Sequence, residues 1–216
     1  MIAVLASGSG SNLGALLAAR LPIRVVISNR PGVKALERAT AAGVEALTID
    51  HTTFPQREGF DRAVREALQS RGVEWVVLAG FMRIVGPELL GAFPDRIVNI
   101  HPALLPSFPG LHAQRQALLA GARISGCTVH LVDRGMDTGP ILAQAAVPVL
   151  PSDDERSLSE RILAREHQLY PAVVGRLVRG GLRRQANQVW LEGGPLWTSP
   201  PADLGACLVS PPGSLS

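Results

Sequence analysis

Asn99-Ile100-His101-Pro102-Ala103-Leu104-Leu105-Pro106-Ser107-Phe108-Pro109-Gly110-Leu111-His112 is the stretch that decides the fold. It closes an apolar run that begins at Arg96, and the alternation Asn99-Ile100-His101 sends the amide and the imidazole to one face of a strand. Pro102, Pro106, Pro109 and Gly110 then follow. Prolines fix φ and remove donors, so this loop is stiff and cannot continue a sheet. A rigid loop at a strand end, beside a polar pair, is how a parallel α/β sheet builds a site.

Upstream of that loop the pattern alternates strand and helix. Met1–Ala6, Ile23–Ser28, Ala46–Ile49, Trp75–Ala79 and Ile97–His101 read as strands. Leu13–Arg20, Gly32–Ala42 and Arg57–Gln69 read as helices, the last with Phe60, Val64 and Leu68 on one face. Such repetition predicts a parallel sheet with right-handed crossovers. Downstream, Ala113–Ala120 reads as a helix. Ser125–Val132 and Ile141–Val149 read as strands whose short connection makes them antiparallel. Ser157–Arg179 reads as a long amphipathic helix and Leu182–Leu191 as a short hairpin. The expected fold class is α/β: one domain, a mostly parallel Rossmann-like sheet with helices on both faces and an antiparallel edge. That domain is expected over 1–197, with a mobile tail rich in Pro, Gly and Ser over 198–216.

Composition narrows the function classes. The chain has 216 residues, 46% of them hydrophobic, enough for one substantial core. No apolar run reaches the roughly 18 to 20 residues needed to span a bilayer, and Met1 leads straight into a strand, so no membrane and a cytoplasmic setting are expected. Cys127 and Cys207 show neither metal-ligand nor redox spacing. The net charge of +3 is dispersed and aromatics are only 4%, without the clustered basic stripe of a nucleic-acid binder. Small-molecule substrates are expected, and the chain as a monomer or homodimer.

Ser7-Gly8-Ser9-Gly10-Ser11-Asn12-Leu13 lies between a strand and a helix. Its glycines leave backbone N–H groups free to face an anion, and the helix N-terminus adds positive partial charge. Gly10, Ser11 and Asn12 are the expected phosphate contacts; a merely tight turn is the plainer reading. A dinucleotide fingerprint would place glycine at Leu13 and an acid near Asn29-Arg30, and an ATP-type loop would need Gly-Lys-Ser/Thr. Neither pattern is present, so no nicotinamide or flavin is expected.

Asn99-x-His101-Pro102-x-Leu104-Leu105-Pro106 with Pro109-Gly110-Leu111-His112 resembles the signature of folate-dependent formyltransferases, and most closely the glycinamide ribonucleotide transformylase family. Val132-Asp133-Arg134-Gly135-Met136-Asp137-Thr138-Gly139-Pro140 and the Ser7–Leu13 loop match further motifs of that family, in its order. The similarity runs from about Met1 to about Arg179. It implies a formyltransferase fold and transfer of a formyl group from 10-formyltetrahydrofolate, a co-substrate, to the amine of N1-(5-phospho-D-ribosyl)glycinamide. The product is formylglycinamide ribonucleotide, in de novo purine biosynthesis.

The resemblance implies Asn99, His101 and Asp137 as the catalytic set. Negative charge grows on the formyl oxygen as the amine attacks, so the site needs donors there and a route for the amine proton. Asn99 would donate to the oxyanion; His101, if protonated, would do so too and pass a proton towards the departing folate nitrogen. Asp137 would favour imidazolium and could hold a shuttling water. No covalent nucleophile and no metal is called for. Gly10, Ser11, Asn12 and Glu166 would bind the ribonucleotide. Arg57, Met82, Arg83, Ile84, Val85, Asn99, Asp133, Arg134, Gly135, Met136 and Asp137 would bind the folate.

Each residue also has a plainer reading. Asn99 could cap the loop, Asp137 could serve a turn, Arg57 and Glu166 could be solvated helix positions, and Phe81–Val85 could open a helix with Arg83 exposed. His130, in an alternating strand, is expected to be a hydrogen-bonded structural residue, and His112 to brace the loop or do nothing. Ala103, Thr138 and Leu163 depart from the family's pattern, and Thr138 narrows the backbone choices beside Asp137. A deformylase would be expected to carry an extra N-terminal regulatory domain, and a methionyl-tRNA formyltransferase a sizeable C-terminal one. A non-catalytic sensor of a phosphorylated metabolite would have no use for Asn99, His101 and Asp137 together.

Overall fold

The computed structural model describes residues 1–185, 188–192 and 207–209. The fold is α/β, as the alternation predicts. The chain divides into two compact units: 1–99 with 132–134, and 100–131 with the residues from 135 onward.

The first unit is a parallel sheet. Its strands are β1 (Ile2–Ala6), β2 (Ile23–Ser28), β3 (Glu45–Thr48), β4 (Trp75–Leu78) and the start of β5 (Ile97–His101), in the order β3-β2-β1-β4-β5. Every residue of β1 is fully buried, which explains its unbroken apolar sequence: a strand with parallel partners on both sides and covered faces has no solvent side to mark with polar residues. Helices α1 (Ser11–Ala18), α2 (Lys34–Ala41), α3 (Arg57–Gln69) and α4 (Pro87–Ala92) connect the strands. Phe60, Val64 and Leu68 of α3 are buried with Leu5, Val76, Leu78 and Ile97 in one apolar cluster. The 3.6-residue period read in the sequence is therefore the buried stripe.

Strand order reverses between β1 and β4, because β1 leads to β2 on one side and pairs with β4 on the other. In open α/β sheets ligands bind beyond the strand ends at such a switch point. The loops after β1 and β4 meet there: Ser7 N donates to Gly80 O at 3.1 Å, and Met82 N donates to Ser7 Oγ at 2.8 Å.

In the second unit β6 (Ile124–Leu131) and β7 (Ile141–Pro148) pair antiparallel, with an irregularity between Val129 and His130. Helix α5 (Ala113–Leu119) precedes them, and α6 (Glu155–Val178) packs its apolar side on both. Asp154 caps α6 in a reciprocal pair with Ser157: Ser157 N donates to Asp154 Oδ1 at 2.7 Å and Asp154 N to Ser157 Oγ at 3.1 Å. Ser157, expected near the helix start, is its third residue. The hairpin expected over Leu182–Leu191 is β8 (Leu182–Gln185) against β9 (Gln188–Leu191). Of the segment expected as a tail, 198–206 and 210–216 lie outside the described residues, while β10 (Cys207–Val209) pairs with β7. Among the described residues no helix is long and apolar enough to cross a membrane.

Candidate active site

Strand β5 places His101 at the entrance of the proline loop, only 4% exposed. Its Nε2 lies 2.8 Å from the Phe108 carbonyl, and its Nδ1 lies 3.3 Å from Asp137 Oδ2. A carbonyl only accepts, so Nε2 carries hydrogen. With a carboxylate on Nδ1 as well, both ring nitrogens face acceptors, which is the hydrogen-bonding pattern of imidazolium. Asn99, two residues earlier in β5 and half-buried, has the strand parity the sequence predicts.

Asp137 is held from three directions. Gly110 N donates to its Oδ2 at 2.8 Å, His101 Nδ1 faces the same oxygen, and His130 Nε2 lies 3.6 Å from Oδ1. Burial pushes its carboxyl up. Interaction with His130, the Gly110 hydrogen bond and the positive charge of the two imidazoles outweigh burial and hold it below its ordinary value. At 3.6 Å the His130 contact is long for a hydrogen bond and within ion-pair distance. His130 also places Nδ1 2.9 Å from the Leu131 carbonyl, a structural role as expected. Residue order carries no sign of its second contact, because that depends on a turn placing Asp137 opposite β6.

The loop itself is pinned from β6 and β7. Thr128 Oγ1 donates to Ala103 O at 2.6 Å and accepts from Leu105 N at 3.0 Å; Gln144 Nε2 donates to Leu105 O at 2.8 Å. Gly110 has φ +79°, a backbone conformation that favours glycine; a Cβ there would meet only Met136 Sδ, at 2.9 Å, on an exposed and flexible side chain. Thr138, one of the departures, lays its hydroxyl against Gly135: a Cβ on Gly135 would meet Thr138 Oγ1. His112 is exposed, at φ +58°, and lies 4.0 Å from Glu155. Glu166 of α6 is only 6% exposed, so the solvated reading fails for it.

In the first unit, Gly10 takes the left-handed conformation at φ +66° and starts α1, whose first turn carries no acidic residue. The α1 N-terminus thus presents backbone donors at the end of β1, with Ser11 and Asn12 as its first residues. The turn is fixed from behind. Ala35 N donates to Gly8 O, Arg38 Nε donates to Ser9 O, and Ser7 Oγ donates to Asn29 Oδ1 at 2.6 Å.

Phe81–Val85 does not open a helix; α4 begins only at Pro87. The segment belongs to no helix or strand, so its backbone is not committed to a ladder. Met82 and Ile84 expose large apolar side chains, while Arg83 stacks over the Phe60 ring at 4.8 Å instead of reaching into solvent. Arg57 Nη2 donates to Ile84 O at 2.6 Å. Asp133 and Arg134 fall in the first unit; Gly135 and Met136, both exposed, fall in the second with Asp137. Among the described residues no group of three or more His, Cys, Asp or Glu could hold a metal ion.

The formyl transferase family model matches residues 1–174, and the chain belongs to that family, in its phosphoribosylglycinamide formyltransferase group. It is 40% identical over 198 residues to the phosphoribosylglycinamide formyltransferase of Escherichia coli strain K12, covering 89% of this chain and 93% of that protein. It is 49% identical over 187 residues to the trifunctional purine biosynthetic protein adenosine-3 of Drosophila melanogaster; the match takes in 83% of this chain and 14% of that protein's length. Among solved structures, glycinamide ribonucleotide transformylase 1 from Symbiobacterium toebii superposes with a TM-score of 0.85 at 51% identity, covering 88% of this chain and 92% of that one.

Proposed function

We propose that this chain transfers a formyl group from 10-formyltetrahydrofolate to the amine of N1-(5-phospho-D-ribosyl)glycinamide. The observation that carries this reading is His101 with an acceptor on each ring nitrogen, one of them the depressed carboxyl of Asp137. Formyl transfer from a folate nitrogen needs a donor that stabilises negative charge on the formyl oxygen and also yields a proton to the leaving nitrogen. A neutral histidine offers one N–H; imidazolium offers two.

The amine attacks the formyl carbon and its C=O electrons move onto oxygen. Asn99 donates its amide N–H to that oxygen. His101 Nε2–H, here on the Phe108 carbonyl, is the donor that turns to it. Asp137 keeps the imidazolium in place and takes part in moving the proton released by the attacking nitrogen. Collapse restores the C=O, breaks the bond to the folate nitrogen and protonates that nitrogen. Gly10, Ser11 and Asn12 hold the phosphate through backbone donors, and Glu166 contacts the glycinamide nucleotide. Arg57 and the Met82–Val85 backbone, with Asp133–Asp137, receive the folate.

The test is an assay of the purified protein with glycinamide ribonucleotide and with water as competing acceptors. Formylated nucleotide is the expected product. Formate release without nucleotide formylation would show a hydrolase instead.

A further inference from the structure

Asp61 is the one buried carboxylate of α3, 2% exposed, and the reading above leaves it without a task. Its Oδ2 lies 3.5 Å from Arg57 Nε, one helical turn away. The same oxygen occupies the space a side chain would need at position 86: a Cβ built on Gly86 would fall on Asp61 Oδ2 and stand 3.5 Å from Arg57 Nε. Gly86 is the residue at which the Phe81–Val85 segment becomes α4. Arg57 in turn donates Nη2 to Ile84 O at 2.6 Å and stays 40% exposed. One buried carboxylate therefore holds the C-terminal end of the segment at two points, the backbone of Gly86 directly and Ile84 through the guanidinium.

We propose that Asp61 is a positioning residue for the formyl donor: it holds Arg57 on Ile84 and seats the Gly86 backbone, so that guanidinium and segment form one preset acceptor. This rests on the reading that Arg57 and Met82–Val85 receive the folate. Burying the carboxylate is unfavourable in itself. Burial raises the Asp61 carboxyl, and the charges of Arg57 and Arg83 only partly offset this, with Glu58 adding to the rise. A side chain kept there against its own solvation preference is what a site exchanging stability for preorganisation looks like. An arginine tethered along Nε and Nη2 loses little further freedom when an anionic group of the donor reaches its remaining edge.

The experiment compares Asp61→Asn, Gly86→Ala, Arg57→Ala and the pair Arg57→Ala with Asp61→Asn in the full chain. Steady-state kinetics in both substrates are measured together with melting temperature. Asp61→Asn should raise KM for the formyl donor about tenfold, the scale of one charged hydrogen bond. KM for the nucleotide and kcat should stay within about twofold, and the protein should melt no lower than the parent. Gly86→Ala keeps the charge but displaces the carboxylate, and it should shift the same KM in the same direction. It carries the test if Asp61→Asn fails to fold. In the Arg57→Ala background, Asp61→Asn should add little. If Arg57→Ala raises donor KM but neither Asp61→Asn nor Gly86→Ala does, the positioning role is wrong and the folate reading stands. If Arg57→Ala itself leaves donor KM unchanged, the folate reading of Arg57 is what fails.

Discussion

The loops that follow β1 and β5 solve different problems with different chemistry. After β1, Gly8 and Gly10 leave the chain almost bare, and the donors are backbone N–H groups whose direction follows from φ and ψ alone. After β5, prolines stiffen the loop, and the functional group is an imidazole surrounded by Phe108, Asp137 and, through Asp137, Gly110 and His130. A backbone amide is always a donor, so an anion site needs only geometry. An imidazole donates or accepts according to its protonation, so a site built on one must also control charge, and that takes several neighbours.

The largest effect should come from the second loop. His101→Ala should lower kcat by about 10²–10³, the scale for losing a preorganised oxyanion donor, while nucleotide affinity by calorimetry stays near the parent value. Asp137→Asn should also lower kcat. Because both residues act on the same proton and oxyanion, the double variant should lose less than the product of the single losses. A multiplicative loss would mean that the two work independently, and the contrast between a charge-controlled loop and a geometric one would collapse.

The first loop should break through its backbone. Gly10→Ala forces a side chain into φ +66° and within 2.8 Å of the Ala35 Cα. KM for the nucleotide should rise at least about tenfold, equivalent to about 1.4 kcal/mol, with a smaller change in kcat. An equal fall in kcat and kcat/KM would instead place this loop in the chemical step.

The smallest effect sharpens the electrostatic half of the comparison. The folded-state carboxyl of Asp137 lies below its ordinary value. Its contribution to stability is therefore present above the unfolded value of about 3.9 and is lost as pH falls through the lower folded one. In urea titrations across that acid range, Asp137→Asn should flatten part of the fall in stability. Asp153, held down chiefly by Arg161, contributes to the same fall and should remain in the variant. Parallel curves for parent and variant would show that Asp137 is not held as a carboxylate by its neighbours.

Much of this could be read from residue order. The alternation of β1, β2, β4 and β5 and the period of α3 carry their own burial patterns, and the glycine and proline punctuation located both loops. Helix α4 escaped because six residues, Pro87 included, are too few to show a period. Phe81–Val85 gave a false helix start because Met82 and Ile84 are exposed apolar residues in a segment outside any helix, and Arg83 turns back onto Phe60. Glu166, a nucleotide contact by resemblance, would be solvent-facing helix by residue pattern alone; its burial is invisible in the sequence because one turn of α6 shows no sign of what packs against it. The structure puts Asp154 at the cap where the sequence pointed to Ser157, and both take part in it.

By itself the sequence determined the α/β class and the positions of the Gly10 and Pro102–Gly110 loops, and its resemblance to a known family singled out Asn99, His101 and Asp137. The class and the loops follow from local rules: hydrophobic alternation and the dihedral preferences of glycine and proline. Only the tertiary structure decided that Asp137 reaches His101 and His130 together, and that Asp61 lies against Gly86 and Arg57. Those contacts join residues on separate elements, where the distance is set by packing of strands and loops and not by any interval along the chain.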